Sequence, residues 1–394
     1  MPDVVIVGGG IAGVTCAVEL AGGGASVTLL EREEIAAGAS GRNQGWFVLS
    51  SDPPCAPMSA VSLERYLELI DGSAVPVRFD REPVGHLLFT RDESAAPMVE
   101  ERAGAWAATG VRAEALDAAG LRAEEPALAD GVAAAWLLEQ GRRIDPAALS
   151  VAHAHRARSL GAEIRRHTSV RALTTSGERV TGVVTDEGVI AAGTVILAAG
   201  PWSAPLVRPL GVDLPVTGSR GWIVELARSP GFLHHLLEEE EADVAALQLG
   251  EAGDTFPTAG GFLAGGHRPP SVAALLHSAE DGTVVCGASH HPALRAEPDD
   301  EDAPRRILER SVAVVPALAD ATIRGIRWGI RPMSPDGRPL VGWLREGLLA
   351  ATGHGPEGIL LGGGTGVLAA ALVTGGEAPF DPAPFDPLRF PGVA

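Results

Sequence analysis

The chain has 394 residues, 46% hydrophobic and 21% charged, a globular balance that excludes a mostly disordered polymer. Its 31 Lys+Arg against 50 Asp+Glu leave a net charge of −19, which opposes binding to nucleic acid or anionic lipid. Three scattered cysteines (Cys16, Cys55, Cys286) make neither a disulfide framework nor a zinc site, so no metal is expected.

The opening Met1-Pro2-Asp3 leads directly into Val4-Val5-Ile6-Val7, without the pattern of a secretory signal, and a cytoplasmic location is expected. Those four branched residues predict a strand buried on both faces. Gly8-Gly9-Gly10-Ile11-Ala12-Gly13 follows, then a helix over 14–21, a stop at Gly22-Gly23-Gly24 and a second strand ending at Glu31. Ala37 to Trp46 reads as a polar, small-residue loop rather than a helix. Helices are expected over 60–70 and 95–125, and over 146–160 with Asp145 as N-cap and Pro146 in the first position. A strand is expected to run from Ala162 towards Val170.

Further strands are expected over 179–185, 189–190 and 194–197, the last entering Ala198-Ala199-Gly200-Pro201-Trp202. Residues 228–282 look least regular, and the acidic run Glu238 to Glu241 reads as a solvated face. A strand over 283–286, a helix over 303–314 and a strand over 322–327 lead to the C-terminal block. There, 359–373 is the nearest approach to a membrane span, but its glycines favour a buried strand followed by a core helix.

The segment Gly8–Gly13 lies between a strand and a helix, the placement that dinucleotide chemistry requires. Gly8 permits the tight turn, Gly10 lets backbone approach a pyrophosphate, and Gly13 permits close helix–sheet packing. The helix N-terminus meets the phosphate charge, and Glu31 is placed for a ribose hydroxyl. This fingerprint fits NAD and FAD equally. Two later segments, 194–200 and 350–359, repeat the strand-to-glycine-turn pattern and favour a long, buried flavin over a nicotinamide.

Five blocks in order carry a family resemblance: Gly8–Gly13 with Glu31-Arg32; Gly38 to Gly45; Ile144-Asp145-Pro146; Ala198 to Ser203; and Trp328-Gly329-Ile330-Arg331-Pro332 through Gly353-His354-Gly355. They resemble the FAD-dependent D-amino-acid oxidase type, especially its glycine oxidase and sarcosine oxidase branch. The resemblance implies an α/β fold, with a doubly wound, Rossmann-like FAD-binding domain interleaved with a mixed-sheet α+β substrate domain. The expected flavin part is 1–80, 145–215 and 325–394, and the expected substrate part is 81–144 and 216–324.

The resemblance also implies site residues. Ile11 and Ala12 would offer backbone N–H groups to the pyrophosphate, and Glu31 with Arg32 would flank the adenosine. Ala39 and Ser40 would touch the phosphate and ribityl region, while Val170 would hold the adenine. Gln44, Gly45 and Trp46 would line the isoalloxazine, with Gln44 and Trp46 counted among the catalytic group. Gly200 belongs to the return strand, and His354, Gly355, Pro356, Glu357, Gly358, Ile359 and Leu360 would follow the pyrimidine edge. The loop Ser40–Trp46 has neither His nor Cys, so the FAD is expected to be non-covalent. Arg331 would grip a substrate carboxylate, whereas Arg42 is read equally well as a loop anchor.

Two departures bear on the substrate. Tyr66 is the only tyrosine, and Pro356 stands where glycine oxidases place a second polar contact, so a substrate without a free α-carboxylate stays open. His290-His291 is expected in a loop after its strand, with a substrate-lining role as one reading. The implied reaction is oxidation of an amine or amino-acid C–N bond by hydride transfer to flavin N5, giving an imine that hydrolyses. Oxygen is the expected acceptor, yielding hydrogen peroxide. A quinone- or partner-linked dehydrogenase subunit, an NAD-linked dehydrogenase and a non-catalytic flavoprotein are the alternatives, and a homo-oligomer is left open.

Overall fold

A computed structural model describes residues 1–240, 271–292 and 302–393. Strand β1 (Val4–Val7) is buried throughout, as its branched residues predict. Its side chains alternate: Val4 and Ile6 enter one core with helix α1 (Ile11–Gly22), whereas Val5 and Val7 enter a second core on the opposite face. Strand β2 (Val27–Leu30) completes the first βαβ unit, paired parallel to β1.

Beyond it, the expected loop contains a four-residue helix, α2 (Ala39–Arg42), and a two-residue strand, β3 (Trp46–Phe47). Helix α3 (Cys55–Asp71) starts earlier than expected. The alanine-rich stretch is not one helix. It folds as α4 (Ala96–Ala108), β5 (Ala113–Ala115) and α5 (Ala118–Glu124), set between β4 (His86–Thr90) and β6 (Ala134–Leu138). The break falls at Thr109-Gly110, where Gly110 takes a left-handed φ of 94° that closes the α4 C-terminus.

Strand β7 (Arg142–Arg143) pairs with β3. Helix α6 (Pro146–Ser159) opens as expected, with the Asp145 carboxylate accepting from the Ala148 N–H at 2.9 Å. The strand expected from 162 to 170 is two: β8 (Glu163–Arg165) and β9 (Val170–Ser176), separated at His167, whose φ is +56°. Strands β10 (Arg179–Thr185) and β11 (Gly188–Ala191) complete a three-stranded meander with β9. Strand β12 (Thr194–Leu197) then returns beside β1, followed by α7 (Ser203–Val207).

The remaining strands are β13 (Thr217–Ala227), β14 (Leu236–Glu239), β15 (Ser271–Ser278), β16 (Thr283–Pro292), β17 (Thr322–Met333), β18 (Leu340–Arg345) and β19 (Leu348–Thr352). Helix α8 (Ala303–Val314) precedes β17, and α9 (Gly358–Thr374) follows β19. Strands β16 and β17 run well past their expected ends. His290 and His291 are therefore strand residues, not loop residues, and Arg331 sits inside β17. Residues 228–282 are also more regular than expected, since they contain β14 and β15; Glu241 and 257–270 lie outside the described residues.

Two large sheets result. The first has the order β18-β19-β12-β1-β2-β8, parallel except for β18, and it winds outward in both directions from β1. Helices α1, α3, α6 and α9 cover one face, and the β9–β11 meander covers the other. The second sheet has the order β17-β13-β16-β15-β14-β4-β6-β5. Its far face carries α8 and the core of Leu87, Phe89, Leu237, Leu276 and Ile307; its near face carries α4 at one end.

The stretch Gly355–Thr374 is long and apolar enough to cross a membrane by composition, yet it packs as a core helix. No strand precedes it at 359; α9 is continuous through its glycines. These let neighbours approach closely: a Cβ on Gly363 would lie 2.7 Å from Ser62 Cα, and one on Gly364 2.6 Å from Met58 O. All three cysteines are buried and unpaired.

Candidate active site

At the switch point of the first sheet, β1 has β2 on one side and β12 on the other, so a crevice opens beyond their carboxyl ends. Gly8 occupies this turn at φ +111°, and a Cβ there would lie 2.4 Å from Ala198 O. A Cβ on Gly13 would lie 2.0 Å from Gly8 O, so helix and strand touch because both residues lack side chains. Gly10, Ile11 and Ala12 line a continuous cavity of about 710 Å³ that starts in this crevice.

The crevice is polar where an adenosine and its phosphates would lie. The Glu31 carboxylate accepts from the Gly9 N–H at 2.7 Å and the Glu33 N–H at 2.8 Å, which fixes it at the rim. Arg32 stacks over the Trp202 ring at 3.9 Å, and both line the cavity with Val170 and Gly200. Ser40 also lines it, and its hydroxyl accepts from the Ile11 N–H at 2.9 Å, capping α1 from a distant loop. Thus one N–H expected to serve the pyrophosphate already has a side-chain partner.

Ala39, Gln44 and Trp46 line the middle of the cavity. The loop that carries them is clamped from the second sheet. His277 Nε2 donates to Gln44 O at 2.7 Å, and Arg327 donates to Asn43 O at 2.9 Å. Burial holds His277 near 4, so the clamp is a neutral imidazole. Arg42 donates to Ala37 O and lies over Trp328, the anchoring role of its two readings. Gly45 is not on the cavity wall; it packs against Ile144 O behind it. Gly13 likewise stays behind the wall.

The C-terminal turn returns as the sequence implies: His354, Gly355, Pro356, Glu357, Gly358, Ile359 and Leu360 all line the same cavity as Gly10. The His354 ring itself lies 2.8 Å from Thr365 Oγ1 and is held neutral near 4 by burial. Ser50 donates to the Glu357 carboxylate at 3.1 Å, and burial lifts that carboxyl to about 7. Tyr66 is structural: its hydroxyl donates to Ile359 O at 2.8 Å and accepts from the Gly363 N–H at 3.0 Å.

At the far end the floor is the near face of the second sheet. Arg331 projects over Gly221 and donates to Ser289 O at 3.0 Å. No carboxylate pairs with it among the described residues, and burial lowers it only to about 10, so it remains a cation. His290 lines the cavity beside it and is neutral, held well below its ordinary value by burial, by Arg331 and by His291. His291 is buried on the opposite face of the strand.

Sequence reasoning missed the wall formed by Arg102, Trp106 and Glu238. Glu238 to Glu240 are not a solvated face: Glu239 and Glu240 are 4% exposed, and all three carboxylates are paired. The partners of Glu238, Arg102 of α4 and His86 of β4, lie more than 130 residues away in sequence, so the run alone could not reveal them.

The family described as FAD dependent oxidoreductase (DAO) matches residues 3–372. The chain belongs to that family. This flavoenzyme is 30% identical over 402 residues to the glycine oxidase of Pseudomonas aeruginosa, covering 98% of each chain. It is also 30% identical over 334 residues to the D-amino acid dehydrogenase of Sinorhizobium medicae, covering 80% of this chain and 72% of that protein. Its fold matches the crystal structure of glycine oxidase from Geobacillus kaustophilus with a TM-score of 0.84 at 25% identity, covering 99% of each chain. FAD is its cofactor, and the cavity suits one: it begins at a dinucleotide turn whose Gly8 lies too close to Ala198 O for any side chain, and it runs on along the loop 39–46 and the turn 354–360.

Proposed function

We propose that this flavoenzyme oxidises the C–N bond of an amino acid or carboxylated amine whose carboxylate is held by Arg331. The observation that carries this reading is the Arg331 guanidinium on the cavity wall, with no acidic partner among the described residues. A buried cation without a counter-ion is costly, and a planar fork of donors matches a carboxylate bidentately. The same observation favours a substrate with a free carboxylate over one without.

Bound FAD supplies the two-electron acceptor for C–N oxidation. The chain supplies position and charge. Arg331 fixes the carboxylate, and therefore the Cα–H direction, against the wall formed by Gln44 and Trp46. Arg331 disfavours a second positive charge beside it, which promotes loss of the substrate ammonium proton to solvent before oxidation. Neutral His290 adds no opposing cation. The residues between His354 and Leu360 bring backbone and the start of α9 to the opposite side, where a helix N-terminus favours negative charge.

The expected test is anaerobic mixing of the yellow protein with glycine, sarcosine and both enantiomers of amino acids, followed by bleaching of the flavin absorbance. Arg331→Ala is expected to lower kcat/KM about 30-fold or more for carboxylate substrates, mostly through KM. Unchanged kinetics would remove Arg331 from the site. We propose oxygen as the acceptor, read as peroxide formed per substrate consumed; reoxidation only by a quinone would make the protein a dehydrogenase. We further propose that the FAD is dissociable, since the loop Ser40–Trp46 has no His or Cys, and denaturation should release it.

A further inference from the structure

The second end of the cavity carries charge of its own. Glu238 lies on β14, in register with Leu88 of β4 and Leu275 of β15, so it faces α4 and the cavity. Leu237 and Glu239 face the other way; Glu239 pairs with Arg91 and with Arg310 of α8. Arg102 of α4 donates to Glu238 Oε1 through both terminal nitrogens at 3.1 Å and also pairs with Glu240. His86 Nε2 lies 2.8 Å from Glu238 Oε2. Burial alone raises this carboxyl, but Arg102 and His86 bring it down to about 2, so it is ionised throughout the neutral range. Its side chain keeps 18% of its surface accessible, towards a cavity that it lines.

Two carboxylates, Glu238 and Glu240, meet one guanidinium here, with the His86 imidazole as the other partner of Glu238; Glu238 and Arg102 line the cavity. A ligand carboxylate would be the third anion on Arg102, whereas a ligand cation would be the second on Glu238. From Glu238 to Ser289 of β16, whose carbonyl accepts from Arg331, the backbone runs two strands across and two residues along, about 12 Å at ordinary strand spacings. The guanidinium lies over Gly221 on the next strand, β13. The Glu238 and Arg331 side chains both extend from the backbone and shorten the gap between their charged groups. Between them Leu275 and Ile223 line the cavity, and the Gln44 side-chain oxygen lies over Gly287, where a Cβ would be 3.2 Å from it. A side chain of lysine or arginine length, with a hydrogen bond of about 3 Å at each end, spans this gap; glycine does not.

We propose that Glu238, positioned by Arg102 and His86, selects amino-acid substrates that carry a second cationic group, an amine or guanidinium at the end of the side chain. This rests on the assignment of the substrate carboxylate to Arg331. It names a specificity residue and a substrate class that the reaction alone leaves open.

The test uses the FAD-loaded protein and two readouts. In the first, anaerobic flavin reduction is compared for lysine, ornithine and arginine against norleucine and 2-aminoadipate, in both enantiomers. The expected result is kcat/KM about tenfold or more in favour of the cationic members, falling towards equality with norleucine in Glu238→Gln. In Glu238→Asp the preference is expected to shift from lysine towards the longer arginine. In the second readout, 6-aminohexanoate, which has no α-amine to oxidise, is titrated against the flavin spectrum beside hexanoate and adipate. It is expected to bind about tenfold more tightly than either, and Glu238→Gln is expected to remove the difference. Equal binding of the three acids, or a ratio unchanged by Glu238→Gln, overturns the proposal, as does preference for 2-aminoadipate and adipate. Amino-acid oxidation that depends on Arg331 without a cationic preference defeats this proposal alone. Tight 6-aminohexanoate binding without any amino-acid oxidation would instead defeat the proposed reaction.

Discussion

Glu357 shows how one side chain couples stability to acidity. Burial, with Asp52 nearby, lifts its carboxyl from 4.5 to about 7. Between those values the folded chain holds a proton that the unfolded chain has lost, so stability falls as pH rises through the window. The slope from one such proton is at most about 1.4 kcal/mol per pH unit. In FAD-stripped protein, Glu357→Gln is expected to flatten the decline of Tm between pH 4.5 and 7. An unchanged pH profile would show that Glu357 ionises normally. At this scale the sequence reads best where a residue's role is local. The turn residues Gly8 and Gly13 are legible from three neighbours on either side, whereas Glu238 is not, because its meaning lies in Arg102 and His86. Gly45 shows the opposite failure. Its neighbours Gln44 and Trp46 reach the cavity, but the chain turns so that Gly45 meets Ile144 behind the wall.

Among the elements, α9 ties the C-terminal turn to the dinucleotide helix. A Cβ on Gly366 would lie 2.7 Å from the Thr15 carbonyl carbon of α1, and Thr15 Oγ1 donates to Gly362 O at 2.7 Å. Glycine ordinarily weakens a helix by about 1 kcal/mol relative to alanine, so this run makes sense only through packing. Gly363→Leu is therefore expected to destabilise by about 3 kcal/mol or more, seen as a fall in Tm together with weaker FAD retention. A neutral effect would mean that α3 and α9 can separate at little cost. The glycines made α9 look interrupted in sequence, because helix propensity is local and close approach to α3 is not. The second sheet was harder to read for a similar reason. Strand β14 ends in two consecutive glutamates with a third just beyond it, and only its register with β4 and β15 makes it a strand.

For the whole molecule, we propose a division into two parts along the two sheets. All six strands of the parallel sheet fall in 1–80, 145–215 and 325–394, while β17 crosses the proposed line at 325. The cavity takes its walls from both sheets, so a ligand that fills it ties them together. Added FAD is expected to raise the Tm of stripped protein, contributing about 2.7 kcal/mol at a free concentration 100 times its Kd. A Tm indifferent to FAD would mean that this cavity is not where the cofactor binds. Order along the chain made this convergence legible, since each glycine-rich turn announces itself; the depth and charge of the far end did not.

The burial of Cys16, Cys55 and Cys286 has a practical consequence. Thiol reagents act on accessible thiolates, and burial raises all three thiols well above neutrality. A cysteine introduced at an exposed site such as Ile326 would then be the one position that a maleimide dye reaches, with the native thiols left in place. The wild-type chain thus arrives already suited to attaching a single reporter.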